Sequence, residues 1–225
     1  MKDADVRQAL RDRLELTQVA HGGFLVEELG LCNGTVRADL VVVNGVLKGY
    51  EIKSDQDTLV RLKAQADIYN QVFDTVTLVV AERHLDNALS VVPDWWGIEV
   101  ASLNKVSTKV ELNSYRPEQI NHSVNPGKLV QLLWREEAAF ILSQKFISKS
   151  FKGKTRSFLW DHLANTLPLC DLKDAVRNSL KCRTNWRVDG LQRTNDATFP
   201  PSAMLLNCPA HPSHPRSRRY TYRPN

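Results

Sequence analysis

Asn44-Gly45 lies between two apolar runs, and no other pair of residues constrains this chain as much. Val36–Val43 leads into it through Leu40-Val41-Val42-Val43, and Val46–Lys53 leads away. Asn-Gly tolerates the positive φ angles that match the twist of a β-hairpin, so the two runs are expected to pair antiparallel. Phe24–Leu31, closed by Gly30 and Asn33-Gly34, reads as a strand before them. After them, Ser54-Asp55-Gln56-Asp57-Thr58 suits the start of a helix. Leu59, Leu62, Ala66, Tyr69, Val72 and Phe73 recur along it at helical spacing, and Asp74 ends it. Val76–Ala81 is continuously apolar, as a buried strand is. It returns after a helix, so a right-handed crossover can lay it parallel to the strand at 46–53. A helix with Val6, Ala9, Leu10 and Leu14 on one face, capped by Asp3 or Asp5, precedes all of this. A short helix over His84–Val91 and strands over Ile98–Ser102 and Val106–Leu112 follow. The expected class is α/β, a mixed sheet with helices packed on it.

The second half is different in character. Residues 113–127 are polar, contain Pro117 and Pro126, and read as a linker after a first domain at 1–112. Residues 128–193 form a basic helical region. One helix is expected through Leu129, Leu132, Leu133, Glu136, Ala139, Phe140 and Ile141, and weaker ones around Thr155–Leu163 and Leu172–Leu180. From Thr194 to Asn225 the chain is rich in Pro, Ser, His and Arg, and disorder is expected. Residues 1–143 carry 15 Lys and Arg against 20 Asp and Glu, a net of −5. Residues 144–225 carry 15 against 5, a net of +10. That split points to a polyanion held by the back half, or to a basic solvated tail. No apolar run reaches the ~18 residues a membrane helix needs, and the start is polar, so a cytoplasmic protein without membrane contact is expected. The four cysteines are scattered and read as free thiols.

The strands at 36–43 and 46–53 also carry the candidate chemistry. Glu51 and Lys53 are two apart and share a face, while Tyr50 and Ile52 point the other way. Asp39 joins them only if paired positions sum to 90, which needs a three-residue loop (Asn44-Gly45-Val46) or a bulge. A two-residue turn would turn Asp39 away. Two close carboxylates repel unless a cation lies between them. Carboxylates with water and phosphate oxygens suit Mg²⁺ or Mn²⁺, and an adjacent lysine can position a water. The other reading of Glu51 and Lys53 is a charge pair on an exposed strand.

These residues resemble the PD-(D/E)XK nuclease superfamily, over about the first 100 residues. Asp39 matches the first acid of the motif, Glu51 the second and Lys53 the lysine; Ala38 stands where a proline is usual. Gln65 and Tyr69, at i and i+4, look like the Q-x-x-x-Y element of RecB-like members, with Arg61 a turn earlier. The resemblance implies a restriction-endonuclease-like core and a divalent-metal-dependent deoxyribonuclease, a hydrolase used in DNA repair or phage defence. It implies Mg²⁺ or Mn²⁺ held by Asp39, Glu51, the Ile52 carbonyl and Glu28, with Lys53, Gln65 and Tyr69 completing the catalytic set. The alternative is an inactive nuclease-like module that binds nucleic acid or a partner.

DNA is the expected partner, with RNA open and the oligomeric state unspecified. Lys145, Lys149, Lys152, Lys154 and Arg156, with Arg61, are the candidates for its phosphates; Arg177, Lys181, Arg183 and Arg187 come next. Trp95-Trp96 either stack bases or fix the turn after Pro93, and His84 stands at a strand end. Cys208, His211 and His214 lack the second cysteine of a zinc finger.

Overall fold

The computed structural model describes residues 1–146 and 150–183. Its centre is a six-stranded sheet in sequential order: β1 (Phe24–Leu31), β2 (Val36–Asn44), β3 (Val46–Lys53), β4 (Thr75–Ala81), β5 (Gly97–Leu103) and β6 (Val110–Arg116). β1 to β3 are antiparallel, β3 to β5 parallel and β6 antiparallel to β5. The parallel joins run through α2 (Leu62–Val72) and α3 (Leu85–Leu89), as parallel strands require a crossover. The mixed α/β sheet expected from the sequence is therefore present.

The hairpin register is the one the Asp39 argument needed. Asn44 pairs with Val46 and Leu40 with Tyr50, so paired positions sum to 90 and Gly45 alone makes the bend, at φ +71°. Gly49 is required for a different reason. A Cβ there would lie 2.7 Å from the ring of Phe73, which closes the larger core beneath β3.

Each face of the sheet is covered. On one, Val6, Leu10 and Leu14 of α1 (Asp3–Thr17) meet Leu40, Val42, Tyr50, Ile52, Val79 and Ala101. Burying each of those three side chains stabilises the fold by about 1.5–3 kcal/mol. On the other, α2 packs together with α4 (Pro126–Leu129), α5 (Arg135–Lys145), α6 (Arg156–Thr166) and α7 (Leu169–Cys182) in one continuous apolar core. The helices of the basic region thus share the core of the sheet. Asp74 anchors α7 to it: its buried carboxylate accepts the Leu47 N–H at 2.7 Å and meets Lys173 at 2.7 Å and Arg177 at 3.4 Å.

Three local expectations change. Asp57 accepts the N–H and hydroxyl of Ser54 in a turn, so α2 starts at Leu62 rather than at that polar stretch. The helix expected through Leu129–Ile141 is broken, because Leu133 and Trp134 are extended and α5 begins afresh at Arg135. The strand expected to end at Leu112 runs on to Arg116.

Candidate functional site

The site begins at a fault in two strands. Alternation places residues two apart on one face. Yet Val26 and Leu29 of β1, three apart, both enter the larger core, and so do Ala38 and Val41 of β2. The slip falls at Glu28 and Asp39. Their neighbours pair as Glu27 with Leu40 and Leu29 with Ala38, so the two acids stand opposite each other. Glu28 takes a left-handed φ of +53°, a strained value for a residue with a side chain. Like charges placed opposite across a ladder destabilise it.

Arg7 of α1 resolves that repulsion. Its Nη2 lies 2.8 Å from Asp39 Oδ1 and its Nη1 3.1 Å from Glu28 Oε1. Nη1 also donates to the Asp39 carbonyl at 3.1 Å, and Nε meets Asp3 at 3.2 Å. Burial works against the charged guanidinium, but the attraction and hydrogen bond of Asp39 outweigh it and the Arg7 pKa is raised. The second oxygen of Asp39 accepts the Ile52 N–H at 2.7 Å. The β2–β3 ladder ends at Leu40 and Tyr50, and this side chain takes over the next strand N–H. A cleft of about 560 Å³ opens beside that point.

Glu51 and Lys53 lie on the cleft floor, both buried. Glu51 Oε1 receives Lys53 Nζ at 2.6 Å and Gln65 Nε2 at 2.5 Å, and Oε2 receives the Tyr69 hydroxyl at 2.5 Å. Gln65 Oε1 in turn accepts from Lys53 at 3.0 Å. Burial and the nearby Asp39 charge push the Glu51 carboxyl up to about 7, against the opposing pull of Lys53 and the hydrogen bonds from Lys53 and Tyr69. Burial, then the charge and hydrogen bond of Glu51, hold the Tyr69 phenol well above its ordinary value. Tyr69 is locked by stacking on Trp96, ring centroids 5.7 Å apart, and by an edge contact to Phe73.

So Glu28, Asp39, Glu51, Ile52, Lys53, Arg61 and Gln65 share one cleft, with Tyr69 beneath Glu51. Asp3, Arg37 and Asp57 also line it. Sequence reasoning missed these and Arg7, although Asp3 and Arg7 at i, i+4 carried a faint signal. Both Asp39 oxygens and both Glu51 oxygens already have donors within the chain. Among the described residues, no group of three or more His, Cys, Asp or Glu is placed to hold a metal ion.

The basic candidates divide. Lys145 pairs with Asp171 at 3.0 Å and does not line the cleft. Lys173 and Arg177 are taken by Asp74, and Arg183 by Glu137. Lys152, Lys154 and Arg156 are exposed, with no carboxylate partner among the described residues. Arg156 reaches Asn33 at 3.5 Å, beside the Gly34 and Thr35 rim of the cleft. Lys149, Arg187, Cys208, His211, His214 and the whole of 194–225 lie outside the described residues. Trp96 is buried with its indole N–H on Asn70, and His84 is buried beside Arg83, away from the cleft lining.

Comparison with known proteins gives a different family from the one the motif suggested. Residues 2–200 match the family described as bacteriophage P4 protein cII. Protein cII of Enterobacteria phage P4 is 26% identical over 183 residues, covering 81% of this chain and 68% of that protein. Among solved structures, a Silicibacter pomeroyi protein of unknown function aligns with 68% of this chain and 98% of its own, at 18% identity and a TM-score of 0.39. These matches overturn the PD-(D/E)XK resemblance, and with it the deoxyribonuclease and hydrolase reading, its repair and defence roles, and the inactive nuclease-like alternative. The resemblance rested on five positions in the first hundred residues, whereas the phage family spans nearly the whole described chain. Physically, acid, acid and lysine in this order need no reacting ion to be held together, because Arg7, Gln65, Tyr69 and the Ile52 N–H meet their charges from within.

Proposed function

We propose that this chain, which belongs to the bacteriophage P4 protein cII family, is a DNA-binding protein. It grips the phosphate backbone along Lys152, Lys154 and Arg156 and at the adjoining rim of the cleft, with Arg61 inside. One observation carries the reading: these three exposed cations, close together in sequence, have among the described residues none of the carboxylates that neutralise Lys145, Lys173, Arg177 and Arg183, and Arg156 joins them to the cleft through Asn33. Unpaired cations beside a polar cleft attract a polyanion by releasing its counterions. The excess of +10 over residues 144–225 adds long-range attraction.

A divalent ion belongs to the same proposal in a secondary place. Mg²⁺ or Mn²⁺ suits the oxygen donors of Glu28 and Asp39, but it enters only in exchange for Arg7, which supplies the positive charge there. Binding along the basic strip does not depend on it.

Fluorescence anisotropy of the full chain with a labelled oligonucleotide, over a salt series, tests the reading. The log–log salt slope should fall by about 0.7–0.9 for each phosphate contact removed. The triple substitution Lys152→Glu, Lys154→Glu, Arg156→Glu should weaken binding at least about tenfold and flatten that slope by about 2. A folded triple variant with unchanged affinity and slope overturns the proposal.

A further inference from the structure

We infer that α6 is a stacking platform for single-stranded DNA, with Phe158 as the surface that receives an unpaired base and Lys154 and Arg156 as the clamps on its phosphates. The inference rests on the DNA-binding reading and adds the strandedness of the ligand.

Phe158 is 44% exposed, on a helix that buries Leu159 and Leu163 on its other side. The ring is not a loose surface residue. His162, one turn along, stacks on it with planes 7° apart and centroids 5.9 Å apart. His162 is itself held between Phe146 and Phe151, at 5.5 and 5.6 Å. An aromatic ring fixed in this way meets a base without first losing much rotamer freedom.

The charges are set over aromatic rings. Lys154 Nζ lies 5.1 Å from the Phe158 centroid, and the Arg156 guanidinium 4.6 Å from that of Trp160. Both lie within the range of cation–π attraction, which holds them over the aromatic surface until an arriving base takes the place of Lys154 on the Phe158 ring and its ammonium moves to the phosphate. The first turn of α6 contains no acid, so its amide dipoles add to the positive field. Arg135 donates to the Lys154 carbonyl at 3.0 Å, which ties the start of α5 to the same segment. An exposed aromatic ring among unneutralised cations is what a single strand needs, because every unpaired base has a π-face and every link a phosphate. A duplex hides those faces and can use only the cations.

The test compares Phe158→Leu and Phe158→Trp with the unaltered full chain, on single- and double-stranded oligonucleotides of one sequence. Phe158→Leu should weaken single-strand binding about tenfold and leave duplex binding and both salt slopes unchanged. Phe158→Trp should keep or tighten single-strand binding. Circular dichroism establishes that each variant is folded. Equal losses on both ligands, or no loss on either, overturn the platform and leave the DNA-binding reading standing. Failure of the unaltered chain to bind either ligand overturns that reading and the platform with it.

Discussion

Glu28 and Asp39 face each other across β1 and β2 at the point where both strands change face, and the Arg7 guanidinium joins them at 3.1 and 2.8 Å. The fault and the bridge explain one another. A regular ladder would send these acids to defined faces, whereas the slip holds them at the sheet margin, where a helix on one side can reach both.

Arg7→Met should therefore destabilise the chain by about 1–3 kcal/mol, since it leaves the part-buried Asp39 carboxylate facing the exposed Glu28 with no cation between them. Urea unfolding measures the loss. Arg7→Lys should recover only part of it, because an ammonium lacks the fork that spans both acids. Full stability in Arg7→Met would mean the bridge is incidental.

The same variant should bind Mg²⁺ or Mn²⁺ better than the unaltered chain. With Arg7 gone, Glu28 and Asp39 form a pair of hard oxygen donors in need of a cation. Isothermal calorimetry should give tighter binding for Arg7→Met, and the added ion should restore part of the lost thermal stability. If both proteins respond alike, the exchange between guanidinium and metal does not occur.

Glu51 makes a pH prediction. Its folded pKa, about 7, lies above the ordinary glutamate value of 4.5. Between those values the folded state holds the extra proton, so stability contributed at low pH is lost as pH rises through about 7. Glu51→Gln, which keeps the shape and can still accept from Lys53, should remove that component. The stability difference, variant minus unaltered chain, should grow from pH 4.5 to 7 and then level off. A difference independent of pH would show that Glu51 ionises in the folded chain as it does in the unfolded one.

Gly49→Ala should cost about 1–3 kcal/mol, because the added methyl meets the buried Phe73 ring at 2.7 Å and the packed core has little room to yield. Pairing it with Phe73→Leu should recover part of the loss. A strictly additive pair would place the strain elsewhere.

Much of the sheet was legible along the chain. The apolar run at 76–81, the Asn44-Gly45 bend and the requirement that Asp39 and Glu51 share a register all follow from periods of two residues and the backbone freedom of glycine. The helix at 129–141 misled because its apolar spacing continues across Leu133 and Trp134, where the backbone extends so that the Trp160 indole can donate to the Leu133 carbonyl. The family misled for a related reason. A few residues in order describe a local arrangement, and different proteins can arrive at the same one.

The first four strands, the bend, the shared face of Glu51 and Lys53, and the charge split between the halves can be read along the chain, since each depends on near neighbours or on simple count. Which charges are neutralised and which are left depends on how the elements pack. Arg7 reaches Glu28 and Asp39, Asp74 takes Lys173 and Arg177, and Lys152, Lys154 and Arg156 find no acid among the described residues. Pairing of charges is settled by distances across the fold, between residues as far apart in sequence as Asp74 and Arg177, and no local period records those distances.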